Sequence, residues 1–300
     1  MHLPSYIIQS PSGFLKLTSH TAIAVGIRYM LFAGIAWLLG YVFFRKQWQG
    51  RKINPQLPKS PEVWREIRYS VLTLFVFGLV GAATIVAAGH GWTRLYYKVD
   101  QRGWPWFWIS IACAVLLHDT YFYWTHRLMH HRRLFRFFHR VHHLSHNPSP
   151  WASYAFSPPE AFVEAGILPL AVMLIPMHPL AFVAFMGWQI VFNVLGHTGY
   201  EIHPRWLMDS RLKWLINTPT NHVMHHETMR GNYGLYFNVW DRLMKTNHHD
   251  YERRFREVTS RTGNRDTASA LRHAAAANGC GAYPDCRKPA TMEGTTPRVC

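Results

Sequence analysis

The 300-residue sequence predicts an all-α protein: a multi-pass transmembrane helical bundle of about four to five apolar helices with a cytoplasmic, histidine-rich helical cap. Three observations predict it. Hydrophobic residues form 49% of the chain but lie in long runs that end near Val194, which excludes an ordinary water-soluble globule. The 32 Lys and Arg against 16 Asp and Glu give a net charge of +16, and the cations stand in blocks flanking the apolar runs. That is a membrane-topology pattern, not the continuous basic face of a nucleic-acid binder. Finally, the 20 histidines outnumber the acidic residues and are tightly clustered.

A spanning helix needs about 20 mostly apolar residues. The first runs from Thr21 to Phe44, interrupted by Arg28, and the block Arg45, Lys46, Arg51, Lys52 and Lys59 with Pro55, Pro58 and Pro61 makes the connector behind it. Ile67–Gly89 is the second span. The third starts near Trp104 and runs towards Tyr123, with Arg127, Arg132, Arg133, Arg136 and Arg140 at its exit. Ala161–Met177 and Leu180–Val194 are shorter apolar stretches joined by His178-Pro179, a tight hairpin of spans four and five. Beyond Gly199 the chain turns polar, aromatic and basic, as a folded cap at the membrane surface does. Three regions follow: residues 1–103 with the first helices and connectors, 104–256 with the catalytic chemistry, and 257–300, which has no apolar periodicity and reads as a disordered tail.

The positive-inside rule places the two cationic blocks in the cytoplasm and the amino terminus outside. His118–His146 and everything from His197 onward then lie on the cytoplasmic side, and His2, His20, His90 and His178 on the other. Cysteine adds no site, since Cys113, Cys280, Cys286 and Cys300 form no CxxC spacing.

Residues 118–146 read HDTYFYWTHRLMHHRRLFRFFHRVHHLSH, and 221–227 read NHVMHHE. His139, His142 and His143 stand at i, i+3 and i+4, as do His222, His225 and His226, a spacing that puts three imidazoles on one helix face. His126 and His130 add an i, i+4 pair, and His197, His118 and His203 complete the candidate ligands. Imidazole suits Zn, Cu, Fe and Ni, and rings this dense would repel one another if protonated. One ion takes four to six ligands, so this many histidines imply two metals. No Glu-x-x-His pair of the soluble carboxylate di-iron type is present, so the site is nitrogen-rich. Asp119, Glu201, Glu227 and Asp241 are the nearest acidic residues, suited to orienting the rings.

HDTYFYWTHRLMHH, HRVHH, GHTGYE, NHVMHH and NYGLYFNVWDR, spread over roughly residues 104–245, resemble the fatty acid hydroxylase superfamily and within it the sterol desaturase branch, C5-sterol desaturase-like members included. The resemblance implies a membrane-bound non-haem di-iron oxygenase that hydroxylates or desaturates a sterol or fatty acyl lipid. It would use O2 and two electrons from cytochrome b5, ferredoxin or a reductase. It implies two iron ions, with zinc in a purified or substituted form, and no nucleic-acid partner. The membrane is the cytoplasmic one in a bacterium or the endoplasmic reticulum in a eukaryote. The family's first box falls on His126 and His130, its second on His139, His142 and His143, and its last on His222, His225 and His226. His197 matches the extra histidine between boxes, and His118 the family's His-Asp pair. Where relatives often carry Ala-Phe-His-Pro, this chain has Ala155-Phe156-Ser157-Pro158.

Two other classes compete. A histidine-rich metal transporter would place ionisable groups along the middle of several spans. A bis-histidine haem protein would carry paired single histidines within spans instead of HxxHH triplets.

Overall fold

The computed structural model describes residues 10–261, which are helical and, but for one isolated bridge between Lys52 and Tyr200, contain no β-pairing. The helix α1 (Pro11–Trp37, continued by a wider turn over Leu38–Phe43) is started by Ser10, whose hydroxyl accepts from Gly13 N, with Pro11 in the first turn where its missing N–H costs nothing. α2 (Ser60–Gly89) returns antiparallel to it. The two approach closely at Gly78, where an added Cβ would sit 2.6 Å from Ala22 Cβ, and Thr21 Oγ1 donates to Gly78 O at 2.7 Å. Small residues that let backbones touch are how helices associate without water to drive them.

α3 (Gly103–Met129) is about 40 Å long at 1.5 Å per residue. At its start Trp106 Nε1 donates to Pro176 O at 2.9 Å, and its end carries His126. The expected fourth span, Ala161–Met177, is broken: α5 (Pro158–Ala165) and α6 (Ile167–Leu174) are separated at Gly166. Tyr121 OH occupies the space a Cβ at Gly166 would need, 2.5 Å away, and donates to Val163 O, which also accepts from Gly166 N at 3.0 Å. Eight residues reach about 12 Å, so neither piece crosses a bilayer. α7 (Pro179–His197) follows, with His178 Nδ1 accepting from Leu180 N at its start.

Among the described residues, three helices are long and apolar enough to span by length and composition: Pro11–Phe43, Ser60–Gly89 and Pro179–His197. Length and composition thus pick out three of the about four to five apolar helices expected. α3 has the length, but HDTYFYWTHR fills its second half with polar groups. Ile27, Val71 and Trp108 are 66%, 62% and 64% exposed on these helices, an apolar surface that hydrocarbon covers.

The ends sort into two sets. Tyr200 OH donates to Gly40 O and Arg65 to Leu144 O, joining the carboxyl end of α1 and the amino end of α2 to the histidine-bearing segments. At the other ends, Arg94 N donates to Val172 O and Tyr96 N to Met177 O, near His90 and His178. The histidine clusters therefore sit at one end of the bundle, as the sequence pattern requires.

Beyond α7, α8 (Pro219–Thr228) and α10 (Tyr251–Ser260) form the cap, with short α4 (Phe135–Phe138) and α9 (Val239–Leu243) between loops. Phe255 and Tyr251 of α10 pack on Leu207, Met208 and Met224, and Val258 on Ile53 and Val223. The expected tail boundary at 257 thus falls inside an ordered helix, and the rest of that tail, from 262, lies outside the described residues.

Candidate metal centre

Nine of the eleven candidate histidines converge in two groups. His126, His130, His139, His143 and His225 form the first, and His142, His197, His222 and His226 the second, all ligand atoms of each lying within 4.8 Å of one another. In the first, His143 Nε2 is 3.1 Å from His130 Nε2 and 3.0 Å from His225 Nε2, and His126 Nε2 is 2.9 Å from His139 Nε2. In the second, His197 Nε2 lies 3.2 Å from that of His142, 3.0 Å from His222 and 3.3 Å from His226.

The HxxHH triplets do not present three rings to one centre. Each forks: His139 and His143 enter the first group and His142 the second, while His222 and His226 enter the second and His225 the first. Only the later triplet lies on a continuous helix, α8; α4 ends at Phe138, and His142–Leu144 form a tighter 3-10 turn. Adjacent residues diverge by about 100° around a helix, so His142/His143 and His225/His226 each bridge the two groups.

The protonation pattern tests whether a cation fits. Backbone carbonyls only accept, so His126 Nδ1, 2.9 Å from Tyr233 O, His225 Nδ1, 2.6 Å from Gly231 O, and His197 Nδ1, 2.7 Å from Asn193 O, must each carry the proton. Their Nε2 atoms then carry lone pairs and point at other imidazole nitrogens about 3 Å away. Burial pushes His143 down to about 3 and holds His139, His142, His222, His225 and His226 well below the usual imidazole range, the neighbouring rings adding to the effect. Neutral lone pairs facing one another are mutually repulsive unless a cation lies between them. Nitrogens bound at about 2.1 Å to one ion lie about 3.0 Å apart at right angles and about 3.4 Å apart at the tetrahedral angle. The nearest separations, 2.9–3.3 Å, lie close to that interval, so each group could hold a metal ion.

The outer partners were only partly legible. Glu160 Oε1 sits 2.5 Å from His139 Nδ1 and is fully buried, yet nothing marked it in the sequence. The available signal is the run Ser157-Pro158-Pro159-Glu160, a helix start: Ser157 Oγ accepts from Glu160 N and donates to Phe138 O, beside His139. The position where relatives often carry histidine thus anchors the backbone of a ring it does not touch. Asp119 and Asp241 hold loop N–H groups, Asp119 Oδ1 accepting from Tyr236 N and Phe237 N. Glu201 accepts from His203 Nδ1, Thr220 N and Thr220 Oγ1, and Glu227 faces Arg254 at 3.8 Å.

His118 and His203 lie outside both groups. His118 Nδ1 is 2.8 Å from Tyr236 OH in an aromatic pocket with Phe122 and Phe185, and His203 is held by Glu201 at the rim of a cavity beside the second group. Sequence spacing placed His118 two helical turns before His126, but the approach of Tyr236 claims its ring.

The chain is thus an all-helical bundle with membrane-type helices and, at one end, two convergent, nitrogen-rich histidine groups, each of which could hold a metal ion. Residues 111–246 match the model of the fatty acid hydroxylase family. The chain is 30% identical to the Delta(7)-sterol 5(6)-desaturase ERG3B of Gibberella zeae over 191 residues, 62% of this chain and 57% of that protein. It is 29% identical to lathosterol oxidase of Mus musculus over 192 residues, 63% and 62% of the two chains. With the Delta(7)-sterol 5(6)-desaturase erg3C of Aspergillus fumigatus the identity is 26% over 229 residues, 70% and 68%. The chain therefore spans between about half and two thirds of the length of these relatives. No solved structure matches it significantly.

Proposed function

We propose that this chain is a membrane-bound oxidoreductase that desaturates or hydroxylates a lipid with O2 and two electrons, using two iron ions held by the nine converging histidines. The observation that carries the reading is that nine Nε2 atoms converge in two groups inside a fatty acid hydroxylase domain, at one end of an apolar bundle. His126, His130, His139, His143 and His225 would hold one ion and His142, His197, His222 and His226 the other. Bound there, the pair supplies reduction of O2 to an oxidant able to take hydrogen from an unactivated C–H bond.

The chain's own residues do the rest. Tyr233 O, Gly231 O, Asn193 O and Glu160 fix the tautomers of His126, His225, His197 and His139 so that their Nε2 atoms face inward. Phe135 and Tyr233 wall the first group and Phe156 the second, ring centroids 5.3, 5.2 and 5.2 Å from His130, His130 and His142, and keep bulk water from the oxidant. The adjoining helices deliver the lipid, and cytochrome b5, a ferredoxin or a reductase delivers the electrons. Neither a transporter's line of ionisable groups along the spans nor a pair of haem-ligating histidines within them accounts for nine histidines gathered at one end.

The test is to purify the chain from membranes, measure iron, add a reduced donor and lipids, and look for products heavier by 16 or lighter by 2 mass units. About two irons per chain with either shift is expected. Iron-free protein with no shift on sterols or fatty acyl lipids, or a haem Soret band, overturns the reading.

Orientation is also ours to propose: the metal centre faces the cytoplasm, from the Lys and Arg asymmetry of the connectors. In a cysteine-free background, Arg94→Cys should be labelled from outside sealed cells and Arg136→Cys spared. The reverse pattern refutes it.

A further inference from the structure

Tyrosine and tryptophan rings run in an unbroken file from the first histidine group to the surface. The Tyr233 ring faces three of its imidazoles, with centroids 5.2 Å from His130, 5.6 Å from His225 and 5.7 Å from His126. Tyr123 of α3 comes next, fully buried and 6.3 Å from Tyr233. Beyond it stand Trp240 of α9, stacked on Tyr123 at 5.8 Å, and Trp124 of α3, 5.3 Å from Tyr123 and 5.6 Å from Trp240. Trp124 is 43% exposed, so the file opens to the surroundings. Among the described residues, no other tyrosine or tryptophan ring stands as close to either group. The second group faces Phe156, whose ring gives up an electron far less readily.

Tyr123 also has what a tyrosine needs to be oxidised and restored. A phenol loses its proton along with its electron, so an acceptor must be at hand. Three donors converge on Asp241, as on a carboxylate, and Thr246 Oγ1 is one of them at 2.7 Å. With its own proton given to Asp241, Thr246 Oγ1 accepts from Tyr123 OH at 2.9 Å. The phenol proton thus has a route to Thr246, as the Thr246 proton passes to Asp241, and the same route back. Arg127 donates to the phenol oxygen at 3.2 Å. The direction of traffic follows from the side chains: phenol and indole lose an electron to a strong oxidant but take none from a biological reductant. The file therefore carries oxidising equivalents outward.

We propose that Tyr233, Tyr123, Trp240 and Trp124 form a discharge path that drains an oxidising equivalent from the first histidine group when no C–H bond is in place, with a soluble thiol as the final electron source. This rests on the O2-activating reading and adds a protective function to the same site, which must exclude side reactions of its oxidant. Tyr123 gives one electron to that oxidant by way of the Tyr233 ring, and its phenol proton to Asp241 through Thr246. Trp240 or Trp124 then returns an electron to Tyr123 as the proton comes back. The oxidised indole takes an electron from the thiol, which releases its proton to water and joins a second oxidised thiol as a disulfide.

The first arm of the test needs neither iron nor O2. The full chain is loaded with zinc, which has no redox chemistry, and a ruthenium photo-oxidant is attached through Leu128→Cys in a cysteine-free background. Residue 128 is exposed and one helical turn from Trp124. A flash should oxidise Trp124, and electron paramagnetic resonance should then show a tyrosyl radical as Tyr123 refills the indole. Tyr123→Phe should leave a tryptophanyl signal alone, and Thr246→Val, which removes the proton's route, should slow the tyrosyl signal. No tyrosyl signal with Tyr123 in place overturns the inference whether or not the variants fold. In the second arm the iron-loaded chain receives reduced donor and O2 in detergent without lipid substrate, and its peptides are weighed. Oxygen should be added at Trp124 or Trp240, and a thiol should prevent it. In Tyr123→Phe, with metal content unchanged at the start, the damage should move to Tyr233 and the histidines of the first group. The same damage in both chains overturns the inference. A tyrosyl radical in the first arm with no lipid product removes the proposed function and leaves the path standing; lipid product with no tyrosyl radical does the opposite.

Discussion

Replacing His225 by alanine is expected to empty the five-histidine group and bring lipid oxidation to background. His225 Nε2 lies 3.1 Å from that of His130 and 3.0 Å from that of His143, so its loss removes a nitrogen that faces two others, not a peripheral contact. The side chain is fully buried and its Nδ1 satisfies Gly231 O, so alanine also leaves a carbonyl without its donor and a space among the remaining rings. Losing an outer partner of a metal ligand typically costs about 10–100-fold in affinity, and losing the ligand itself costs more. Metal content should fall from about two per chain to about one, because the four-histidine group shares none of these nitrogens. His142→Ala should do the converse, stripping the second group. The control is His90→Ala, at the far end of a bundle whose α3 alone is about 40 Å long, which should change neither metal nor turnover. Two metals and full activity in His225→Ala would sink the two-metal reading.

What the sequence could and could not disclose follows from which interactions are local. The helices were legible because hydrocarbon length and apolar composition are properties of a contiguous segment, and so were nine histidines, whose density is visible along the chain. The fork of each triplet was not legible: helical spacing says that His222, His225 and His226 are near one another, but which centre each ring joins depends on where residues 139–143 arrive from across the fold. His118 failed for the same reason, since its partner Tyr236 is 118 positions away. Glu160 was hidden because a carboxylate after two prolines ordinarily caps its own helix, and only the placement of His139 against it gives it a second role. The break at Gly166 was hidden because the hydroxyl that stabilises it comes from Tyr121 on another helix. α10 reads as polar in sequence, yet its buried stripe Tyr251, Phe255 and Val258 closes the back of α8.

Asp241→Ala is expected to release the first metal group without touching a single ligand. Asp241 is fully buried, and three donors converge on it: Tyr233 N at 2.9 Å and Thr246 Oγ1 at 2.7 Å to Oδ1, and Gly234 N at 2.7 Å to Oδ2. Burial raises its carboxyl above the ordinary range, and these donors, in bonding the ionised form, pull it back. The loop it holds is bent by positive φ at Met229, Gly231 and Asn232, and at Gly231 an added Cβ would lie 2.4 Å from Thr246 O, so only glycine fits. That shape presents Gly231 O to His225 Nδ1 and Tyr233 O to His126 Nδ1. Alanine would leave two N–H groups and a hydroxyl without an acceptor, at about 1–3 kcal/mol for each unpaired buried group and so about 3–9 kcal/mol in all. The carbonyls would move with the loop, and His126 and His225 would lose the partners that fix their tautomers, whereas His142, His197 and His222 take nothing from it. Denaturation in detergent should therefore show a lowered midpoint, with metal lost from one group and retained in the other. Asp241→Asn, which keeps one accepting oxygen, should fall between. A chain carrying Asp241→Ala that keeps both metals at the wild-type midpoint would show that the rings hold their own orientation and that the loop is a bystander.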